Sequence, residues 1–245
     1  MSTKKEILQV LKDQRDIFGD DLFIPKQKIP SKEKIKSKTI EEEPILFPQE
    51  KEKWEKTNSL AELDKLICNC TKCALHKGRN KFVFGSGSSD ADVIVIGEGP
   101  GAEEDKQGLP FVGRAGQLLT DMLRAIKFSR DEVYIANVIK CRPPENRTPL
   151  PEEMDTCLPY LKKQIQLIKP KLILCLGLTA AKGLLKSKES QTNLRGKVFE
   201  FESGTCRTKA MVTYHPAALL RNPNWKRGCW EDLKMFRNLY EEITG

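Results

Sequence analysis

A short apolar run that ends in a glycine-rich turn constrains the fold of this chain more than any other feature. Residues 92–97 (DVIVIG) read as a strand, and residues 97–119 (GEGPGAEEDKQGLPFVGRAGQLL) continue as a turn and then a helix. Glycines let backbone N–H groups approach a ligand at the carboxyl end of a strand. The turn also carries Glu98, Glu103 and Glu104, where a phosphate site needs few negative charges. The segment therefore predicts a pocket for a ligand other than a bare phosphate.

Short apolar runs alternate with helical patterns along the rest of the chain. Ser59 is expected to cap the first helix of the folded part, and Pro159 to kink a later one. Such alternation is typical of a parallel sheet that is covered by helices on both faces. Strands are predicted over residues 92–97, 133–138, 172–176, 197–201 and 208–213, and helices over 59–66, 115–127, 151–168, 178–186 and 227–242.

The chain divides by composition into an amino-terminal extension, residues 1–57, and a folded domain, residues 58–245. The extension is dense in Lys, Glu and Pro, so we expect a short helix over 3–18 and then a disordered linker. Of the formal charge of +8, the folded domain contributes +7, from 29 Lys/Arg and 22 Asp/Glu. This excess suits a nucleic-acid backbone as partner, although a solvated surface explains it equally well.

Two absences in the sequence indicate where the protein works. No apolar run approaches the roughly 20 residues that span a bilayer, and the first residues lack the apolar stretch of a secretory signal. We therefore expect a cytoplasmic, nucleoid-associated protein that does not contact membranes. In that compartment the eight cysteines indicate metal ligands rather than disulfides.

Four of the cysteines form a candidate metal site. Cys70 and Cys73 share a Cys-x2-Cys turn, and Cys141 and Cys157 lie far along the chain. Together they supply four thiolates and would fasten the arm near residue 70 to the sheet. Their spacing matches neither a zinc ribbon nor a compact ferredoxin, so iron–sulfur and zinc both remain open on spacing alone. Cys68 is the one rival ligand.

Four separated motifs together resemble one enzyme family. They are the turn at residues 97–119, Asn137 in NVIKCRP, the four cysteines, and YHPAALLRNP at residues 214–223. In this order they closely resemble the family 4 uracil-DNA glycosylases, which carry an iron–sulfur cluster, over residues 60–245. The resemblance implies a three-layer α/β/α sandwich with a central, mostly parallel four-stranded sheet. It also implies a structural [4Fe-4S] cluster on Cys70, Cys73, Cys141 and Cys157.

The resemblance further implies how uracil is held once the nucleotide has left the DNA stack. Phe111 matches the stacking ring, and Asn137 matches the residue that reads the base through N3–H and O4. His215 matches the catalytic histidine, which would stabilise negative charge on uracil O2 as the glycosidic bond breaks. Backbone amides of the turn that contains Gly97, Gly99 and Gly101 would add further donors. The expected product is an abasic site, without strand cleavage.

Two acids of the turn match acidic pocket positions of the family. Glu98 and Glu104 would position the attacking water or shape the wall near uracil C5, and the sequence does not divide these roles between them. The better-known uracil glycosylases carry an aspartate where this chain has Gly99. The chain therefore resembles enzymes that rely mainly on stabilising the leaving group.

The segment after His215 resembles the loop by which the family approaches DNA, single- or double-stranded. Leu219 and Leu220 are expected to wedge into the stack, and Arg221 and Arg142 to contact phosphates. Further candidate phosphate contacts are Arg147, Lys226 and Arg227.

The sequence leaves several alternatives open. Residues 14–18 (QRDIF) loosely resemble peptides that bind the replicative sliding clamp, although a plain amphipathic helix end is the explanation that the sequence favours. The glycine turn could belong to a nucleotide enzyme, but it lacks the Rossmann spacing. A zinc-stapled DNA-binding or polymerase-associated structural module without base release is the second alternative. A monomer is expected, since a glycosylase needs only one copy.

Overall fold

The computed structural model of the chain describes residues 52–245. The helix expected over residues 3–18 and the clamp-like peptide at residues 14–18 lie outside this part. Trp54 packs edge-on against Tyr160, with ring centroids 4.8 Å apart, and Thr57 is buried. Both residues precede the predicted domain boundary between 57 and 58, so the packed structure begins before it. The division of the chain into those two regions otherwise stays a prediction.

A six-stranded mixed sheet forms the centre of the described structure. Its strands follow the spatial order β1-β3-β2-β4-β6-β5. The inner four strands run parallel, whereas β1 and β5 pair antiparallel at the two edges. The strands are β1 (Ser86–Gly87), β2 (Val93–Gly97), β3 (Tyr134–Asn137), β4 (Leu172–Leu176), β5 (Val198–Ser203) and β6 (Cys206–Thr213).

The sheet has six strands and not the expected four, because two antiparallel strands are added at its edges. The four parallel strands are present, but β5 folds back on β6 as a hairpin and adds a fifth. The sixth, β1, has two residues, which is too short for any alternating or apolar pattern to reveal it. The three-layer sandwich itself is confirmed.

Helices cover both faces of the sheet, and its three central strands are therefore buried on both sides. Every residue of β2, β3 and β4 is buried. Ile94 and Ile96 face one core, and Val93 and Val95 face the other. Full burial of such a side chain stabilises the fold by about 1.5–3 kcal/mol. The α-helices of the described residues are α1 (Leu60–Ile67), α2 (Ala102–Gln107), α3 (Arg114–Ala125), α4 (Pro151–Ile168), α5 (Leu178–Leu185), α6 (Gln191–Leu194), α7 (Pro216–Arg221) and α8 (Lys226–Thr244).

Local sequence signals account for several helix ends. The Ser59 hydroxyl accepts a hydrogen bond from the Glu62 amide at the start of α1, as the capping pattern predicts. Helix α4 runs from Pro151 to Ile168, the predicted bounds, and contains Pro159. The short helix α2 lies inside the turn of residues 97–119 and was not predicted.

The parallel strands place the functional loops at one edge. Strands β2, β3, β4 and β6 end at Gly97, Asn137, Leu176 and Thr213, and their carboxyl ends meet at the same side of the sheet. Ligands of open α/β sheets bind outside this edge. Among residues 52–245, no helix combines the length and the apolar character that crossing a membrane requires.

Candidate active site

A cavity of about 530 Å³ opens at the carboxyl edge of the sheet. Its wall consists of the loops that follow β2, β3, β4 and β6, together with Phe111. Most of the predicted pocket residues therefore come together in one place. The predicted residues that line the cavity are Glu98, Gly99, Gly101, Glu104, Phe111, Asn137, Arg147, His215 and Arg221.

Asn137 lines this cavity and carries an acceptor that no described residue satisfies. The residue ends β3 and is 2% exposed, and its side-chain oxygen is buried without a hydrogen-bond partner among the described residues. A buried polar atom of this kind costs about 1–3 kcal/mol unless a ligand or water pairs with it. The position therefore fits a ligand that brings an N–H donor.

Glycine is required at position 97 because Asn137 and Phe111 pack closely against its backbone. A Cβ atom at Gly97 would lie 2.5 Å from Asn137 Oδ1 and 2.6 Å from Phe111 Cζ. Both distances are too short for a real contact, so any side chain here would displace the amide or the ring. Gly97 does not line the cavity, but it sets the position of two residues that do.

Phe111 adopts a conformation that bulky residues rarely use. Its φ is 53°, in the left-handed region, and its side chain is buried. The ring centroid lies 5.6 Å from that of His215, with the two planes 32° apart. A Cβ at Gly116 would meet the Phe111 carbonyl oxygen at 1.9 Å, so the start of α3 leaves room for this conformation. Backbone strain of this kind concentrates at functional sites.

Glu104 holds the turn that carries Phe111. One carboxylate oxygen accepts hydrogen bonds from the amides of Val112 (2.9 Å) and Gly113 (3.0 Å), and the other accepts one from Gly101 (3.1 Å). Both oxygens are therefore engaged by the backbone. The Glu98 side chain lines the same cavity and makes no hydrogen bond within residues 52–245. The structure thus distinguishes two acids that the sequence treated alike.

His215 is held as a neutral ring. Its Nδ1 accepts a hydrogen bond from the Ala217 amide at 3.1 Å, as the cap of α7, so the remaining proton of the neutral ring sits on Nε2. Burial and, to a smaller extent, the positive charge of Arg221 lower the pKa of His215 to about 4, although the negative charge of Glu104 opposes the shift. The ring is therefore an uncharged hydrogen-bond donor at neutral pH.

The predicted DNA contacts divide into exposed and buried residues. Leu219 is 1% exposed and packs in the core, so its assignment as a wedge is wrong: it anchors α7 instead. Leu220 is 39% exposed, and Arg221 is exposed at the rim of the cavity. Arg142 Nε donates to Asn146 Oδ1 at 2.8 Å.

The further cations predicted to contact phosphates differ in their exposure and in their ion pairing. Arg147 lines the cavity but is paired with Glu153, through hydrogen bonds of 2.6 and 2.8 Å. Lys226 and Arg227 are exposed at the start of α8.

The four predicted ligand cysteines lie in one region. Cys141 and Cys157 are buried in a single core, and Cys70 and Cys73 pack against it. Burial, with smaller contributions from the nearby Cys141 and Cys73, raises the pKa of the Cys157 thiol to about 12, although Lys140 opposes the shift.

Two polar groups face the thiols. The Arg79 guanidinium donates to Cys141 Sγ at 3.3 Å and to the Cys70 carbonyl oxygen at 2.6 Å, and the Tyr160 hydroxyl lies 3.3 Å from Cys70 Sγ. Cys68 Sγ instead points to the Lys65 carbonyl oxygen. Among the described residues, no three His, Cys, Asp or Glu side chains have the geometry to hold one metal ion. The ligand set stays a prediction.

Lys140 is a site residue that the sequence did not reveal. It is fully buried, and its Nζ donates to the Asn137 carbonyl oxygen (3.0 Å) and to Gln164 Oε1 (2.6 Å). Gln164 in turn donates to the Tyr134 hydroxyl at 3.1 Å. This chain of bonds fixes the backbone of Asn137 from below. The only sequence feature that could have indicated burial of Lys140 is its position between an apolar strand end and a cysteine.

Comparisons with known proteins agree with this geometry. Residues 84–234 match the model of the uracil DNA glycosylase superfamily. A relative from Pyrobaculum aerophilum, named Type-4 uracil-DNA glycosylase, is 46% identical over 181 residues, which cover 72% of this chain and 92% of the relative. Relatives of the same name from Archaeoglobus fulgidus and Thermotoga maritima are 42% and 49% identical, over 74% and 64% of this chain and 93% and 80% of their own. The chain therefore belongs to the uracil DNA glycosylase superfamily and, within it, to the type-4 group.

Proposed function

We propose that this protein removes uracil from DNA by hydrolysing its N-glycosidic bond, leaving an abasic site. The observation that carries the proposal is the buried side-chain oxygen of Asn137, which has no partner among the described residues and belongs to a residue that lines a cavity walled by Phe111 and His215. The names of the three relatives support the same activity.

The amide of Asn137 suits uracil and rejects cytosine. Uracil offers an N3–H donor beside an O4 acceptor, and one carboxamide satisfies both through its oxygen and its NH2 group. Cytosine presents the opposite pattern, so buried polar groups would stay unpaired at about 1–3 kcal/mol each. Phe111 supplies a ring on which the base stacks.

His215 stabilises the leaving group. As the bond to deoxyribose breaks, negative charge develops on the uracil ring and is shared with O2. The neutral His215 ring donates from Nε2 because Nδ1 is occupied by the Ala217 amide. A positioned donor of this kind lowers the barrier in the manner of an oxyanion hole, at about 10²–10³ in rate.

Glu98 orients the attacking water, and Glu104 is a positioning residue. The assignment rests on hydrogen bonds: Glu104 is committed to three backbone amides, whereas the Glu98 carboxylate has no partner among the described residues. None of the described residues that line the cavity is a lysine, which favours simple hydrolysis over lyase chemistry.

Cys70, Cys73, Cys141 and Cys157 would hold a [4Fe-4S] cluster. Four thiols gathered at the edge of one core, with Arg79 donating to a ligand sulfur, suit a cluster whose thiolates need compensating donors. When bound, the cluster would stabilise the fold and take no part in the reaction. Zinc on the same residues is the second candidate. Metal analysis of purified protein decides between them: about four irons per chain support the cluster, and one zinc contradicts it.

DNA would contact the rim of the cavity through Leu220, Arg221 and Arg142. Leu220 and Arg221 are exposed beside the loop of His215, where the strand that carries uracil must pass. The cytoplasmic, nucleoid-associated location, the sliding-clamp contact and the monomeric state stay predictions.

One assay tests the activity. The purified full-length protein is incubated with single- and double-stranded oligonucleotides that contain one uracil, and the products are treated with alkali. We expect strand breaks at uracil for the wild type and for the exposed control Asn193→Ala, and none above background for Asn137→Ala or His215→Ala. A wild type that leaves uracil in place contradicts the proposed function. A zinc-stapled module without base release would give that result.

A further inference from the structure

An exposed tryptophan stacks on the residue that precedes His215 and is not explained by uracil binding. Trp225 ends the short turn Pro223–Trp225, which links α7 to α8, and it is 42% exposed. Its ring stacks on Tyr214, with centroids 5.0 Å apart and planes 18° apart. Tyr214 directly precedes His215 in the chain. A large flat apolar surface is therefore presented to solvent beside the catalytic loop.

The base of this aromatic pair is firmly held. Arg195 Cζ lies 4.9 Å from the centre of the Tyr214 ring. The same guanidinium donates to both carboxylate oxygens of Asp232, at 2.9 and 3.1 Å, and to the Gly228 carbonyl oxygen at 2.6 Å. Asp232 is buried and also accepts from the Thr213 hydroxyl at 2.8 Å. Tyr214 therefore supports Trp225 in a fixed orientation, which lowers the entropy lost when a partner stacks on it.

The surroundings of Trp225 are basic. Arg221, Lys226 and Arg227 flank the ring in the sequence and are all exposed. None of the three forms an ion pair with another described residue. A flat aromatic surface among exposed cations suits a partner that combines planar rings with negative charge, which is the chemistry of a nucleic-acid strand.

We propose that Trp225 is a stacking surface for a base of the uracil-carrying strand, adjacent to the nucleotide that enters the cavity. Arg221, Lys226 and Arg227 bind the phosphates on either side of that base. The proposal rests on the proposed function, because it takes DNA as the substrate. It adds a contact that holds the strand while the target nucleotide is out of the stack, and so favours single-stranded or locally opened DNA.

The test compares Trp225→Ala, Trp225→Phe and the control Trp230→Ala. Trp230 is 41% exposed on α8, so it matches Trp225 in size and exposure, but it stacks on no described aromatic ring. Dissociation constants are measured for a single-stranded oligonucleotide without uracil, and KM and kcat for the same strand with one uracil. Thermal unfolding of each variant confirms that it is folded.

We expect Trp225→Ala to raise the dissociation constant and KM by about 5- to 150-fold, the range for one base–aromatic stack, with kcat within about twofold. Trp225→Phe should recover most of the affinity, and Trp230→Ala should resemble the wild type. Wild-type affinity in Trp225→Ala, or an equal loss in Trp230→Ala, overturns the proposal. The strand without uracil tests the stacking proposal independently of the proposed function. If the wild type releases no uracil, the proposed function fails, but the dissociation constants for this strand still show whether Trp225 binds a base.

Discussion

Lowering the pH from about 8 to about 5 should leave the His215 ring uncharged and the chemical step unchanged. With a pKa of about 4, roughly nine in ten rings are still neutral at about pH 5. An exposed histidine with a pKa of 6.5 would be almost fully protonated there. The neutral ring keeps its single proton on Nε2 because Nδ1 accepts from Ala217. The donor that the reaction uses is thus present across the whole range.

The effect of His215 on the free energy of unfolding can be calculated from the shift of its pKa. Moving the pKa from 6.5 to about 4 means that protonating the folded protein at His215 costs about 3 kcal/mol more than protonating the unfolded chain. The folded-state pKa is the lower one, so this contribution to stability is intact above about pH 6.5. It is lost progressively as the pH falls toward 4, because the unfolded state binds the proton first.

The assay uses a His76→Gln background, in which His215 is the only histidine. Single-turnover rates of uracil release and free energies of unfolding are measured over this pH range, with His76→Gln/His215→Gln as the matched control. We expect no titration of the rate near pH 6.5, and by about pH 5 an acid loss of stability about 2 kcal/mol larger in the variant that keeps His215. A rate that falls with an apparent pKa near 6.5, only when His215 is present, would refute the reasoning.

Two further predictions concern the pocket wall. Gly97→Ala should lower uracil release by about 100-fold, since the new methyl group displaces Asn137 or Phe111 by about an ångström. The control is Gly78→Ala, because a Cβ at Gly78 meets nothing within 4 Å. A Gly97→Ala variant with wild-type activity would contradict the packing described for the pocket wall. Glu98→Gln should lower kcat by about 100-fold and change the free energy of unfolding by less than about 0.5 kcal/mol. Glu104→Gln should instead lower the free energy of unfolding by about 1–3 kcal/mol. Thermal and denaturant unfolding measure both stability changes. Equal stability losses in the two variants would contradict the division of roles.

Much of the scaffold was predictable because its signals are local. The apolar runs of β2 and β4 could only be buried strands, and Pro151 with its following acids marked the start of α4. The parallel arrangement then follows, because strands that alternate with helices return to the same edge. Asn137 and His215 come together for that reason, although 78 residues separate them.

The remaining features depend on contacts that no local pattern encodes. Leu219 and Leu220 are adjacent and chemically identical, yet the rotation of α7 buries one and exposes the other. The sequence could not divide the roles of Glu98 and Glu104, whereas the tight turn around Phe111 directs three backbone amides at Glu104. No local pattern predicts that Lys140 is buried, because the packing that encloses it involves residues distant in sequence.

The central claim is that the Asn137 amide selects uracil by its hydrogen-bond pattern. The direct measurement is the ratio of uracil release to cytosine release, in matched oligonucleotides, for the wild type and for Asn137→Asp. The ionised carboxylate only accepts hydrogen bonds, so it offers no donor to uracil O4, but it can accept from the N4 amino group of cytosine. We predict a wild type that releases uracil alone, and a variant that loses at least about 100-fold on uracil while its preference over cytosine shrinks. A variant with the wild-type rate and preference would contradict the account.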